Sequence, residues 1–368
     1  MKQVVIIGCG VVGAMIAYEL SELPGWQVTV VDRQMPAQGA TQAALGVLMG
    51  IISQKVKGRA WAMRQSSIQR YATLLPELEA AIGTSLPWNQ QGILKFCFPE
   101  DDLQRWQDLA ELRHNQNWQL EIWDRAQVQT RCPQVQHPDF TAAIYSPQDY
   151  QIDPTVLTQA LVKAAEQRGV HFHFDVQVEA FDPIAQTGQH CDRLHTSIGD
   201  IAADWIVIAA GLGSTPLTQS LNTAVQVGPV LGQAMQIRLD QPLGHPDFQP
   251  VITGRDIHIV PIGQQDSQQD YWVGATVEFP GNEASLQPEA AALETVWQGA
   301  ITLCPDLAKA TVLKTWSGLR PRPVNRPAPI VEPLAGYDNV FLATGHYRNG
   351  ILLAPATAQL VRSALTAA

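Results

Sequence analysis

Little in this sequence could hold a nucleic acid, a disulfide framework or a bilayer. Only 24 Lys and Arg stand against 34 acidic residues, a formal charge of -10 at pH 7, whereas a protein that neutralises a phosphate backbone needs the opposite balance. No DNA or RNA partner is expected. The cysteines, Cys9, Cys97, Cys132, Cys191 and Cys304, are odd in number, scattered and never in a CxxC pair. They predict free thiols in a reducing, cytoplasmic compartment. The longest apolar run, residues 43–52, contains two glycines and reaches about half the roughly 20 residues of a bilayer span. No transmembrane helix is expected. Ahead of the first strand there is no room for a signal peptide, which predicts a mature chain beginning at Met1. GxSxG and HExxH are missing, so hydrolase chemistry has no support. His171 and His173 share a strand face and His190, Cys191 and His195 lie close in sequence, but nothing completes a metal geometry. No metal site is predicted.

What is present is concentrated at the N-terminus. Val4, Val5, Ile6 and Ile7 form an apolar, β-branched run that enters Gly8-Cys9-Gly10-Val11-Val12-Gly13, and a helical pattern follows through Val12, Ile16 and Leu20. A second apolar run, residues 28–31, ends on Asp32, close to the spacing of about 20 residues that a βαβ dinucleotide fold requires. Gly8 permits the tight turn, Gly10 lets backbone N–H groups approach a pyrophosphate, and Gly13 lets helix pack on strand. The helix N-terminus carries partial positive charge, and Asp32, followed by Arg33, can accept from ribose hydroxyls. The fingerprint leaves NAD and FAD both open.

Further along, residues 38–46 are small and flexible enough to lie against a ligand, or to lead into a buried helix. A long helix is expected over 57–82, kinked or broken at Pro76, then a strand over 91–98 and a charged helix over 101–118. Asp153 and Pro154 read as N-cap and first position of a helix over 156–167 that ends at Gly169. Strands are predicted over 170–174 and 177–181, a hairpin arm over 193–198, and a buried strand over 205–211 whose small end could pass a cofactor or simply turn. Strands over 225–239, 251–262 and 271–279, the last two joined by a polar hairpin loop at 264–270, have no helix between them. They suit an antiparallel domain inserted between parts of the nucleotide domain. After a helix over 290–303 the chain returns through a Pro-rich segment, 318–333, to a strand over 339–343 and a final helix over 351–365. The link between those last two, Thr344 to Gly350, sets a glycine-flanked polar cluster before a helix start that favours an anion.

The N-terminal GCGVVG with Asp32, Gly232-Gln233, VGAT at 273–276, GLRP at 318–321 and above all GHYRNGILLAP at 345–355 resemble the D-amino-acid oxidase superfamily of FAD enzymes, most closely the glycine oxidases of thiamine biosynthesis. The resemblance implies FAD bound without a covalent link, its pyrophosphate at Gly8, Gly10 and Gly13 and its ribose at Asp32 and Arg33. The loop of Thr41, Ala44 and Gly46 would run by the flavin, Val178 would meet the adenine through its backbone, and Ala210 and Gly211 would pass the pyrophosphate. His346, Arg348, Asn349, Gly350, Ile351 and Leu352 would form the helix start under the flavin O2. Arg348 and Arg320 would bind a substrate carboxylate. The single GxGxxG sets the chain apart from flavin reductases with a second, pyridine-nucleotide site.

Five positions depart from that pattern: Gln42 replaces a serine, His258 a substrate-facing tyrosine, Asn325-Arg326 an Asp-Gly pair, and Glu332 a glycine. His258, alone on a strand, reads equally as a packed residue or as part of the substrate wall. The fold implied is α/β, α+β overall. A Rossmann-like FAD-binding domain, residues 1–85, 140–222 and 310–368, is interrupted by a mainly antiparallel substrate domain, residues 86–139 and 223–309, covered by helices. The implied reaction is hydride transfer from the Cα–H of glycine, sarcosine or another small amino acid to flavin N5. The products are an imine that hydrolyses to a 2-oxo acid and ammonia, and hydrogen peroxide, with O2 as electron acceptor. A dehydrogenase that reduces a quinone or carrier protein and an inactive FAD-binding assembly protein remain open alternatives, and a homo-oligomer is compatible with the sequence.

Overall fold

Val4 and Ile6 point to one side of the first strand and Val5 and Ile7 to the other, and each pair is buried in a different core. An apolar strand covered on both faces is the signature of a parallel sheet. The computed structural model describes residues 1–183, 190–262, 269–280 and 286–367. Its six-stranded sheet runs in the order Ile330–Pro333, Val340–Thr344, Trp205–Ile208, Lys2–Ile7, Trp26–Val31, His171–His173. All pairs are parallel except the first. On the Val4 side lie helices Val11–Leu20, Gly58–Ile82, Pro154–Gln167 and Gly350–Ala367. On the Val5 side lies a three-stranded antiparallel sheet, Val178–Pro183, Cys191–Thr196 and Gly199–Ala202. Lys2–Ile7 has its successor strand on one side and Trp205–Ile208 on the other, so the strand order reverses there. In open α/β sheets a crevice forms at such a switch point.

The second large sheet has eight strands in the order Thr311–Pro323, Val227–Arg238, Asp270–Gly274, Ile257–Ile262, Val251–Gly254, Ile93–Cys97, Ala142–Ser146, Glu121–Trp123. Only Val251–Gly254 with Ile93–Cys97 is a parallel pair. Helix Ala290–Leu303 covers one face and helix Leu103–Asn115 the other. The chain is thus a mixed α/β protein with a parallel Rossmann-like sheet and an antiparallel-rich one.

Several local expectations change. Helix Gly58–Ile82 runs unbroken through Pro76. An interior proline opposes a helix by about 3 kcal/mol, but Leu74, Leu75 and Leu78 are fully buried around it, each contributing about 1.5 to 3 kcal/mol. Residues 251–262 are two strands rather than one, joined at Arg255 and Asp256 with φ of 49° and 65°. Positive φ at both central residues is the hairpin turn whose twist matches the flanking strands. The Pro-rich return begins as the edge strand Thr311–Pro323, where Pro321 and Pro323 are tolerated. That strand and Ala142–Ser146, expected with the nucleotide-binding segments, pair in the eight-stranded sheet. The strand over 271–279 stops at Gly274. Of the polar loop at 264–270, residues 264–268 lie outside the described residues. Asp153 caps its helix as expected, accepting from the N–H groups of Thr155 and Val156 at 2.8 and 3.1 Å. The helix Arg125–Arg131, with a capping box formed by Asp124 and Gln127, was not legible in the sequence pattern.

Candidate active site

Gly8 leaves the first strand with φ of 108°, and a Cβ there would sit 2.7 Å from the Ala209 carbonyl oxygen. A Cβ on Gly13 would collide with the carbonyl oxygen of Gly8. Turn and helix are packed as closely as glycine alone allows. Asp32, at the end of the second strand, accepts from the Cys9 N–H at 2.5 Å through one oxygen and from the Gln34 N–H at 2.9 Å through the other. Burial pushes its carboxyl up, opposed by those two N–H groups and by Arg33. Asp32 therefore ties the glycine turn to the neighbouring strand in addition to any ribose contact. Across the turn the Val11 N–H donates to the Thr41 hydroxyl at 3.1 Å. Cys9 is fully buried and burial raises its thiol far above the ordinary range, so it is inert.

Thr41 belongs to the short helix Ala40–Ala43. The eight-stranded sheet presses on it: Gly318 has room for no Cβ because Ala43 fills that space, and the Trp316 indole donates to the Ala43 carbonyl at 3.1 Å. Gly46, with φ of 71°, is equally tight against the Ile152 carbonyl. The 38–46 segment thus forms the seam between the sheets.

The other wall is the C-terminal motif. Gly345 and Tyr347 both have positive φ, 67° and 54°, and reverse the chain into a 3-10 turn, Tyr347–Asn349, and the last helix. The Tyr71 hydroxyl donates to the Ile351 carbonyl at 2.5 Å and holds that helix start. His346 is buried, 2.9 Å from the Thr357 hydroxyl through Nε2, and burial, with Arg59 nearby, lowers its pKa to about 3. It is neutral.

Arg320, Arg348, His258 and Asp256 lie close together in the cavity wall. The Arg320 Nη1 donates to the carbonyls of Leu231 and Thr276 at 3.1 and 2.9 Å, and among the described residues no carboxylate pairs with it. Burial and the adjacent Arg348 lower its pKa. Arg348 Nη2 lies 3.4 Å from Asp256 Oδ1. His258 has a buried Nδ1 with no partner, and burial, then Arg348, lowers its pKa to about 4.

Arg320, Arg348, His258 and Asp256 line one cavity of 1140 Å³. Of the residues expected at the site, Gly8, Gly10, Asp32, Arg33, Thr41, Ala44, Gly46, Val178, Ala210, Gly211, His258, Arg320, His346, Arg348, Gly350, Ile351 and Leu352 are in its wall. Gly13 and Asn349 are not; Gly13 acts through packing behind the turn, and Asn349 bonds back to the His346 carbonyl at 3.1 Å. Asp256, Trp272 and Lys314 also line it and were missed. The departures at Arg326 and Glu332 form a 2.8 Å ion pair. Among the described residues no group of three or more His, Cys, Asp or Glu could hold a metal, and no helix is long and apolar enough to cross a membrane.

A glycine turn at a parallel-sheet switch point, opening into a cavity that two arginines also line, is the arrangement of a dinucleotide-dependent enzyme. Residues 3–364 match the family of FAD dependent oxidoreductases, and the chain belongs to it. It is 31% identical over 368 residues to the bifunctional protein ThiO/ThiG of Trichormus variabilis, covering 98% of this chain and 52% of that protein. The chain spans about half the length of the bifunctional relatives it matches. It is 29% identical over 383 residues to the glycine oxidase of Pseudomonas putida, covering 100% of this chain and 95% of that one. The crystal structure of glycine oxidase from Geobacillus kaustophilus superimposes with a TM-score of 0.87 at 25% identity, covering 100% and 95% of the two chains.

Proposed function

We propose that the chain binds FAD non-covalently and oxidises a small amino acid, glycine or sarcosine being the first candidates. The observation that carries this reading is that a pair of guanidinium groups, Arg320 and Arg348, lines the same cavity as the glycine turn. Gly8, Gly10 and the start of helix Val11–Leu20 suit a pyrophosphate, because a side chain at Gly8 would meet the Ala209 carbonyl, one at Gly10 would crowd the Thr41 hydroxyl, and the helix start lines the cavity. Asp32 suits the ribose, Val178 the adenine, and Gly350 to Leu352 the flavin ring edge. The six-stranded sheet serves the cofactor and the eight-stranded sheet the substrate.

When bound, FAD supplies the acceptor for a hydride from the substrate Cα–H and hands the electrons to O2, so that an imine, which hydrolyses to a 2-oxo acid and ammonia, and hydrogen peroxide leave. The chain itself binds and orients. Arg348 and the free side of Arg320 take the substrate carboxylate, for which a planar fork is better suited than an ammonium. Neutral His258 adds an N–H donor without a second full charge. Likeness to the glycine oxidases supports a small substrate.

Purified protein is expected to be yellow and to release one FAD per chain on denaturation. Anaerobic glycine or sarcosine should bleach the flavin, and air should restore it. Colourless protein that cannot be reconstituted overturns the reading. Bleaching without rapid reoxidation would move the assignment to a dehydrogenase.

A further inference from the structure

Asp256 sits where a hairpin turn of this geometry is least strained with glycine or asparagine, yet both central residues carry long-range contacts. Arg255 turns outward, 4.3 Å from the Phe98 ring centroid and 3.2 Å from Glu100. Asp256 turns inward, lines the cavity, and lies beside Arg348 and His258. Its closest approach to Arg348, Oδ1 to Nη2, is 3.4 Å, while Asp256 is 75% and Arg348 35% exposed. A charge-assisted N–H···O bond is ordinarily about 2.7 to 2.9 Å, and a carboxylate that fits the guanidinium fork makes two. The contact is therefore weak enough to be replaced by a ligand carboxylate. It is also useful while the site waits, because burial and then Arg348 lower the Arg320 pKa, against Tyr347 and Glu278, and a carboxylate at Arg348 relieves the repulsion between the two guanidinium groups.

We infer that Asp256 is a displaceable counter-ion of Arg348, exchanged for the substrate carboxylate on binding, and that it thereby sets the affinity of the site for carboxylates. The inference rests on the function proposed above. Asp256 is a positioning residue: it touches Arg348, not the reacting atoms. Its charge lowers the affinity of the site for every carboxylate by a common factor, because each must displace it.

The test is titration of the FAD-loaded protein with acetate, read as the change in flavin absorbance, for the wild type, Asp256→Asn and Asp256→Glu. Asparagine accepts the same left-handed backbone, so the turn survives. An exposed pair is worth about 0.2 to 1 kcal/mol, so Asp256→Asn should bind acetate up to about fivefold more tightly and lower KM for the amino acid by a like factor. Asp256→Glu, which keeps the charge, should stay nearer the wild type. Acetate binding equal to or weaker than wild type in Asp256→Asn overturns the inference, because Asp256 would then only hold Arg348 in place. If acetate does not perturb the wild-type flavin at all, the carboxylate site itself is misassigned and the counter-ion role falls with it.

Discussion

The guanidinium of Arg320 occupies the space that a side chain at Gly232 would take: a Cβ built on Gly232 overlaps Cζ and both Nη atoms. The two residues are diagonal neighbours on adjacent antiparallel strands, since Val230 faces Arg320 and Gly232 faces Gly318. The facing glycines do different work. Gly318 lets Ala43, and with it the 38–46 segment, close on the sheet, while Gly232 lets Arg320 lie over it with Nη1 on two carbonyls. One pair of residues without side chains thus positions both the seam of the cavity and its cation.

Gly232→Ala should accordingly spare the fold and damage the site. What it strikes is the far end of a flexible side chain, which can swing away, but Arg320 then loses its carbonyl acceptors. Hydrogen bonds to a charged group contribute about 1.5 to 3 kcal/mol, so kcat/KM for the amino acid should fall by roughly tenfold to a hundredfold. FAD content and Tm should stay close to wild type. Equal kcat/KM in the variant would show that Arg320 need not be held there.

Gly13→Ala is formally the same change with the opposite consequence. Its Cβ meets the backbone oxygen of Gly8, which cannot move without opening the turn. Overpacking of this kind destabilises by about 1 to 3 kcal/mol. Thermal unfolding should come earlier, and the purified variant should carry less than one FAD per chain. Full occupancy and an unchanged Tm would refute the close-packing role.

Much of this was readable before the structure because it rests on local rules. The apolar run at Val4 to Ile7, the glycine turn, and Asp153 with Pro154 each specify an element from neighbours in sequence, and each element formed. Asp256 was hidden for a complementary reason. Gly254-Arg255-Asp256 lies inside an apolar pattern that reads as one strand, and nothing local says that a turn with positive φ at two non-glycine residues will form there. Pro76 does not break its helix, because propensity counts the missing N–H and not the leucines buried around it. Lys314 and Trp272 belong to the cavity through strand pairing at long range, which periodicity does not encode.

Acid should unfold the protein partly through His346. Its pKa in the fold is about 3 against an ordinary 6.5, so between those values the unfolded chain holds a proton that the folded chain does not. The stabilisation is complete above about pH 6.5 and is lost as pH falls towards 3, by about 1.4 kcal/mol per unit. Asp149, whose carboxyl is pushed up to about 6 by burial, works the other way, losing stability as pH rises from the ordinary value of 3.8. The difference between wild type and His346→Gln isolates the histidine. The Tm of the wild type should fall more steeply than that of His346→Gln between pH 6.5 and 4; parallel profiles would mean that His346 takes up its proton in the fold at an ordinary pH.

Arg348 is a third exposed, and its present partner is weakly held, so its removal leaves no stranded buried charge. The loss on Arg348→Ala is then that of the substrate bonds alone, about 1.5 to 3 kcal/mol. That corresponds to roughly a tenfold to a hundredfold fall in kcat/KM for the amino acid, with FAD content unchanged. Arg348→Lys keeps the charge but not the fork and should recover only part of the loss. Arg320→Ala should be more damaging, because Arg320 is the more deeply buried of the two cations and its loss also leaves the Leu231 and Thr276 carbonyls without its Nη1. Measuring kcat/KM for all three variants against the same amino acid ranks the two arginines. If Arg348→Ala retained wild-type kcat/KM while Arg320→Ala lost activity, the substrate carboxylate would sit on Arg320 alone, and the pairing of Arg348 with Asp256 would be a surface contact without a part in binding.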